Sequence, residues 1–278
     1  MSTPSESPIR FLTWNLNGAS GDRANRLVDL LAEEAGDGPA LAALQEVKPA
    51  TFRVLEASTV FDWLVYSLAI RAPGPFDRGN RKLGCVIAGR GEVQLLGGDV
   101  LWRLPLPERS AIARVRWNGT EVDAISYHSL TGSGFKAGKG VAYRSLLETL
   151  AARERPMLLG LDANTPKVDH PDESCSEFWW PAHEPRVLGP PGARRHDLSD
   201  AFRLWLSANP DALARISSKR PDGPLAVTHR RGATNIPCRY DQVWLSPEWT
   251  VDSVRHLTEA SFEAGSDHAL VSADLTHY

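Results

Sequence analysis

Gly265-Ser266-Asp267-His268-Ala269-Leu270-Val271 sets an acid and an imidazole side by side at the head of an apolar, strand-like run. Four more polar islands interrupt strand-like runs upstream: Trp14-Asn15-Leu16-Asn17-Gly18, Leu44-Gln45-Glu46-Val47, Leu161-Asp162-Ala163-Asn164 and Arg239-Tyr240-Asp241-Gln242. Each puts a carboxylate or amide where burial costs roughly 2–7 kcal/mol unless a metal, hydrogen bond or counter-charge compensates. Five such costs in one chain point to one shared polar site.

Strand-like and helix-like segments alternate around these islands. Residues 9–14 read as a strand that stops at the Asn17-Gly18 turn. Asp22 then caps a helix whose Leu27, Leu30 and Leu31 recur at helical spacing up to Gly36. Residues 41–47 read as the next strand. Residues 61–70 and 83–88 read as strands flanking a basic loop with Arg71, Arg78, Arg81 and Lys82. Residues 111–117 and 122–128 flank Asn118-Gly119, a hairpin signal. A glycine-rich flexible loop, 132–140, precedes a helix at 141–152 and a buried strand at 156–161. The stretch 165–191 is irregular, Asp200 opens a helix to Leu206, and 240–245 and 268–275 are late strands. No linker or composition break divides the chain. Residues 1–8 are therefore expected to form a flexible tail and residues 9–278 a single domain, an α/β sandwich of two sheets covered outside by helices.

Composition narrows the classes of function. The chain has 278 residues and net charge −3, which argues against strong non-specific duplex binding without excluding a local basic groove. Cys85, Cys175 and Cys238 are odd in number and form no CxxC pair, so neither a disulfide framework nor a structural zinc site is expected. The first eight residues lack the basic-then-apolar pattern of a secretory signal, and no apolar run approaches membrane-spanning length. The simplest compartment is a reducing cytoplasm, with no membrane and no obligate protein partner.

The islands also suggest roles. Glu46 is the best candidate metal ligand, because a hard carboxylate with few protein partners suits Mg²⁺, whose shell is completed by water and substrate phosphate. Asn15 and Asn17 are two apart and share a face, able to orient a phosphate or complete a metal shell; ordinary turn chemistry before Gly18 is the alternative. Asp162 and Asn164 have the same spacing and could hold an attacking water. His268 needs an orienting carboxylate to act as a base, and Asp241 is the candidate; Asp267, facing the other side of the strand, is left to a metal. His128, if protonated, would stabilise a phosphorane or donate to a leaving oxygen.

Taken in order, these blocks resemble the endonuclease/exonuclease/phosphatase superfamily, which includes deoxyribonuclease I, exonuclease III-type abasic endonucleases, neutral sphingomyelinases and inositol polyphosphate 5-phosphatases. The matching blocks run from Thr13 to His268. The resemblance implies a four-layer αββα sandwich and Mg²⁺- or Mn²⁺-dependent phosphoester hydrolysis. It implies Glu46 as main metal ligand with Asn15 and Asp267 nearby, Asp162 and Asn164 as the pair positioning the water, Asp241–His268 as the acid–imidazole dyad, and His128 as the second catalytic histidine. The water's proton goes to His268 or to Asp162; the sequence leaves both open. Abasic endonucleases carry Asp where this chain has Asn17, which argues against a second metal. Tyr127-His128-Ser129 resembles the deoxyribonuclease I type.

DNA is the expected substrate, with a small or lipid phosphoester as the alternative and a catalytically silent binding module as a third reading. Arg78, Arg81, Lys136, Arg231 and Arg239 are the cations placed to meet a phosphate backbone, together with Asn17. Trp179-Trp180 in the irregular stretch could stack an unpaired base or pin a long loop. Asp169-His170 and His183-Glu184 read as solvated loop residues rather than another metal site.

Overall fold

The computed structural model of the protein describes residues 8–72, 82–131 and 136–278. β1 (Ile9–Asn15), β2 (Ala40–Val47), β3 (Trp63–Tyr66), β4 (Gly84–Arg90), β13 (Trp249–Leu257) and β14 (Leu270–His277) form one six-stranded sheet in the order β13-β14-β1-β2-β4-β3. β5 (Gln94–Asp99), β6 (Ser110–Trp117), β7 (Thr120–His128), β8 (Met157–Asp162), β9 (Ser199–Asp200) and β12 (Asp241–Leu245) form the second, in the order β5-β6-β7-β8-β12-β9. A short ribbon pairs β10 (His229–Arg231) with β11 (Ile236–Cys238).

Each sheet is mixed, and each parallel pair explains a helix. β1–β2 and β7–β8 run parallel, so the chain must cross back over the sheet between them. It does so through α1 (Asp22–Ala35) in the first case and α4 (Lys136–Ala151) in the second. Alternate residues of the central strands then face different apolar layers. Phe11, Leu41, Ala113, Ala124 and Leu158 meet between the sheets. Leu12, Trp14, Ala42 and Leu44 face Leu27, Val28 and Leu31 of α1 and Leu55 of α2 (Pro49–Ser58). Ile125, Tyr127, Leu159 and Leu161 face Tyr143, Leu146 and Leu150 of α4. Three apolar layers separate four layers of structure, the αββα sandwich. Burial on both faces is why these strands read as continuous apolar runs.

The sheets come unusually close beneath the polar islands. A Cβ on Gly160 would meet Ala43 Cβ at 2.6 Å and Thr13 Cβ at 2.8 Å, so only glycine lets β8 approach the opposite sheet this closely. Two residues later the chain reaches Asp162.

Several segments differ from expectation. Residues 61–70 are not one strand: β3 ends at Tyr66 and one helical turn, α3 (Ser67–Ile70), follows. Ser67 causes the break, its hydroxyl accepting from Cys85 N–H and donating to the Glu108 carbonyl. Asp22 is the first residue of α1 rather than its cap, which is Gly21. The helix expected from 141 begins at Lys136, so the flexible-loop reading fails for 136–140; residues 132–135 lie outside the described residues. Gly140 is accommodated because its bare Cα leaves room for the His183 ring, 3.0 Å from where a Cβ would stand. The irregular stretch contains α5 (Pro185–Leu188), and α6 (Ala201–Ala208) is capped by Asp200, whose carboxylate accepts from Phe202 and Arg203 N–H. Among the described residues no helix is long and apolar enough to cross a membrane.

Candidate active site

Four central strands deliver polar residues to one edge of the sandwich. Asn15 ends β1, Glu46 lies at the end of β2, and His128 and Asp162 end β7 and β8 as paired neighbours. Asp241, the first residue of β12, pairs with Asp162 from the other side. His268 precedes β14 and is held by Trp14, whose indole N–H donates to its carbonyl at 2.8 Å.

Glu46 reaches the site through a β-bulge. The β2–β4 register passes from Leu44↔Val86 to Val47↔Gly84, so Gln45 and Glu46 together oppose Cys85. Glu46 takes the extra turn with φ +53°. Beneath it, the Gln45 amide bridges the two sheets, donating to Thr13 Oγ1 at 3.2 Å and Ser126 Oγ at 3.1 Å. Ser266 locks the other flank: its hydroxyl donates to the Asn15 carbonyl at 2.7 Å and accepts from His268 N–H at 3.1 Å.

Asp162 is the centre of the arrangement. Its Oδ2 accepts from Asn15 Nδ2 at 2.9 Å and lies 3.5 Å from His128 Nε2 and 3.9 Å from His268 Nε2. Its Oδ1 accepts from Asn164 N–H at 3.0 Å. Asn164 sits at φ +47°, with its amide donating to the Ser129 carbonyl at 3.1 Å. On the far side of its ring, His268 Nδ1 lies 2.9 Å from Asp241 Oδ2. The structure thus brings together Asn15, Glu46, His128, Asp162, Asn164, Asp241 and His268. Asp267 is exposed, with a carboxylate oxygen within 4.8 Å of ring nitrogens of His268 and His229.

Electrostatics divide the two histidines. Burial alone would lower the His268 pKa, but the carboxylates of Asp241, Asp162 and Asp267 outweigh it and raise it to about 10. The ring is an imidazolium at neutral pH, which disfavours the sequence expectation of a free base. His128 moves the other way: burial and the adjacent Arg109 guanidinium hold it well below 6.5. It is therefore neutral rather than protonated. Arg109 Nη1 lies 2.8 Å from His128 Nδ1 and 3.1 Å from Nε2. The Arg109 guanidinium thus lies against both ring nitrogens, and Nε2 also faces Glu46 Oε1 at 3.5 Å. Burial opposes the Asp162 charge, but His268, His128 and the Asn15 amide keep that carboxyl below its usual range. Glu46 is pushed upward by burial and by Asp162.

The donor set fits a hard divalent cation. Glu46 and Asp162 are two carboxylates confined together, each 3.5 Å from the same His128 nitrogen. Among the described residues, Asp162–Asp241–His268 and His229–Asp267–His268 each bring ligand atoms within 4.8 Å of one another. Carboxylate and amide oxygens of this kind are the donors that hard divalent cations take.

The expected cations fare differently. Arg78, Arg81 and the side chain of Lys136 lie outside the described residues. Asn17 is a turn residue at φ +48° whose N–H donates to Asn15 Oδ1 at 2.8 Å. Arg231 lies over the Trp179 ring, 4.6 Å from its centroid. Arg239 requires correction as a substrate contact: it is 2% exposed, with Nε donating to Asp169 Oδ2 at 2.6 Å and its Nη groups to Asp200. Asp169 and Glu184 are likewise buried, not solvated. Glu184 pairs with buried Lys139 at 2.9 Å and accepts from Thr165 Oγ1 at 2.7 Å.

Arg109 and His229 were not singled out in the sequence, nor was Thr228, whose hydroxyl accepts from Asp241 N–H at 3.1 Å. Pro107-Glu108-Arg109-Ser110 is itself a polar island heading an apolar strand, the signal that marked the others. His229 carried no such signal; pairing brings it beside His268, with ring centroids 4.3 Å apart.

Comparison with known proteins agrees with this architecture. The profile of the Endonuclease/Exonuclease/phosphatase family matches residues 12–268. D. rerio TDP2 complexed with single strand DNA product superposes with TM-score 0.66 and 17% identity, covering 98% of this chain and 100% of that one. The human Nocturnin catalytic domain with bound sulfate anion gives 0.61 and 16%, covering 98% and 95%. An endonuclease/exonuclease/phosphatase from Bacteroides vulgatus gives 0.64 and 14%, covering 98% and 100%. Among curated proteins, none matches the sequence. The chain belongs to the endonuclease/exonuclease/phosphatase family.

Proposed function

We propose that the protein is a divalent-metal-dependent phosphodiesterase that cleaves DNA by attack of water on phosphorus. The observation that carries this reading is the convergence of His128 Nε2 and His268 Nε2 on Asp162 Oδ2, at 3.5 and 3.9 Å. Two N–H donors and one carboxylate held at that separation match a phosphoryl group and the water that attacks it.

The division of charge assigns the steps. Asp162 and Asn164 orient the water, and Asp162 accepts its proton as the new P–O bond forms and the P–O bond opposite it breaks, the departing oxygen keeping that bond's electron pair and taking a proton from solvent. The His268 imidazolium, anchored by Asp241, and the neutral His128 N–H donate to the phosphoryl oxygens as negative charge builds on them. Arg109, against the His128 ring, helps keep it uncharged. Glu46, Asn15 and Asp267 would hold a Mg²⁺ or Mn²⁺ ion, which would supply further positive charge to offset the negative charge developing on the phosphoryl group.

Support for DNA is the solved complex of D. rerio TDP2 with a single strand DNA product on the same fold. Net charge −3 favours a second reading, a small phosphoester. Plasmid, single-stranded oligonucleotide, abasic duplex and bis(p-nitrophenyl) phosphate are assayed with EDTA, Mg²⁺ and Mn²⁺, with His268→Ala as control. Metal-dependent cleavage of DNA, reduced by orders of magnitude in the variant, is expected. Hydrolysis of the small ester alone defeats the nuclease reading. A fully folded His268→Ala protein with wild-type turnover defeats the site.

A further inference from the structure

A cavity of about 490 Å³ opens beside the catalytic residues. Trp179, Trp180, His229, Arg231 and Tyr240 line it, and Asn164 borders both cavity and site. Its walls combine flat rings with cations. Arg231 lies 4.6 Å and Lys167 5.9 Å from the Trp179 ring centroid. Tyr240, His229 and His268 form a run of near-parallel rings, with centroids 5.6 and then 4.3 Å apart and planes within 24°. The cavity wall therefore continues directly into the imidazole assigned to the phosphoryl group.

The wall is built rather than incidental. Lys139, 1% exposed, donates to the Asn164 carbonyl at 3.1 Å and pairs with Glu184 at 2.9 Å. Glu184 in turn accepts from Trp180 N–H at 3.1 Å and Thr165 Oγ1 at 2.7 Å. One buried ion pair thus ties the tryptophan segment to the strap that carries Asn164. Trp179 itself remains 41% exposed, an indole held at the cavity without being consumed by the core.

We propose that this cavity is the subsite for an unpaired nucleobase adjoining the scissile phosphate. The inference rests on the phosphoester-hydrolase reading above. A volume near 490 Å³ is that of a site for one small-molecule-sized group. Indole, phenol and guanidinium planes are the surfaces on which splayed bases stack. The consequence is selection for single-stranded or frayed ends, since a base paired within a duplex must first leave its stack to enter.

Two measurements test this. The first compares kcat/KM for the dinucleotide thymidylyl-thymidine with analogues carrying an abasic tetrahydrofuran on one side or the other. Wild-type protein is expected to prefer the base-bearing ester over one analogue by about 5–150-fold, the range one stacked base supplies. Trp179→Ala and Arg231→Ala should collapse that ratio towards one. The second titrates thymidine 5′-monophosphate and deoxyribose 5-phosphate into wild type and Trp179→Ala, followed by calorimetry. The nucleotide is expected to bind at least tenfold more tightly, and the variant to lose the difference. Equal treatment of base-bearing and abasic ligands by wild type overturns the subsite while leaving the hydrolase reading intact. Absence of any phosphoester cleavage defeats the hydrolase reading instead, and the calorimetric arm still decides the subsite.

Discussion

Asn15 and Asp162 belong to opposite sheets, yet the Asn15 amide donates to Asp162 Oδ2 across 2.9 Å. The contact exists because Gly160 allows β8 to approach Thr13 and Ala43, and because Asn15 is itself fixed by Asn17 N–H and the Ser266 hydroxyl. Asn15→Asp replaces a donor with a third carboxylate beside Asp162 and Glu46. Asp162 should then hold its charge less readily and misplace the water. A fall in kcat of about 10²–10³-fold is expected, the scale of losing one preorganised donor. Steady-state kinetics with circular dichroism as the folding control checks it; a folded variant with unchanged kcat removes Asn15 from the mechanism.

Glu46 predicts opposite effects on stability and on metal binding. Its pKa is raised by burial and by Asp162, so its charged form is less favourable folded than unfolded. A raised carboxyl destabilises the fold at every pH above its unfolded value. Glu46→Gln should therefore raise the melting temperature in EDTA while weakening Mn²⁺ binding by at least about tenfold. Differential scanning calorimetry and isothermal titration measure the two. A variant less stable in EDTA, or one binding Mn²⁺ as wild type does, contradicts Glu46 as the principal ligand.

His268 gives the metal-free protein an alkaline limit. Its folded pKa is about 10 against an ordinary 6.5, so the ring contributes stability that is fully present below pH 6.5. That contribution shrinks as pH rises and is lost on passing through about 10. In EDTA, the urea midpoint should fall between pH 7 and 10 in wild type, and the slope should flatten in His268→Asn. Parallel pH profiles for the two proteins would show that the Asp241–His268 contact does not hold the ring charged.

Which parts were legible in the sequence follows from their physics. Asn15, Glu46, Asp162, Asp241 and His268 each stand at a break in an apolar, strand-like run; one such residue is weak evidence, and it is five burial costs in one chain that point to a shared site. The two-sheet sandwich was legible in the alternation of strand-like and helix-like segments, and four layers followed from the family resemblance; which strands run parallel was not legible. Charge states were not legible: His128 is neutral because the fold buries it and sets Arg109, nineteen residues earlier, against its ring. Nor was the fate of Arg239, since a cation beside a catalytic block looks alike in sequence whether it faces a phosphate or two buried carboxylates. The one-turn helix after β3 turned on the Ser67 hydroxyl, whose partners lie 18 and 41 residues away.

Arg239 separates a structural cation from a substrate contact. Its guanidinium bonds to Asp169 and Asp200, both buried, and Asp200 also caps α6. Removing the cation leaves two carboxylates without their shared partner, so Arg239→Met should cost about 3–5 kcal/mol of stability. The Asp200 carboxyl is held below its usual range: burial opposes the charge, and Arg239 overcomes it. A depressed carboxyl contributes stability present above its unfolded pKa near 3.8 and lost as pH falls through the folded value. Wild type should accordingly lose more stability below pH 4 than Arg239→Met does. At a temperature where the variant is folded, its KM for an oligonucleotide and the salt dependence of that KM should match wild type, because no phosphate contact has been removed. A raised KM with a shallower salt slope at undiminished stability would return Arg239 to the substrate.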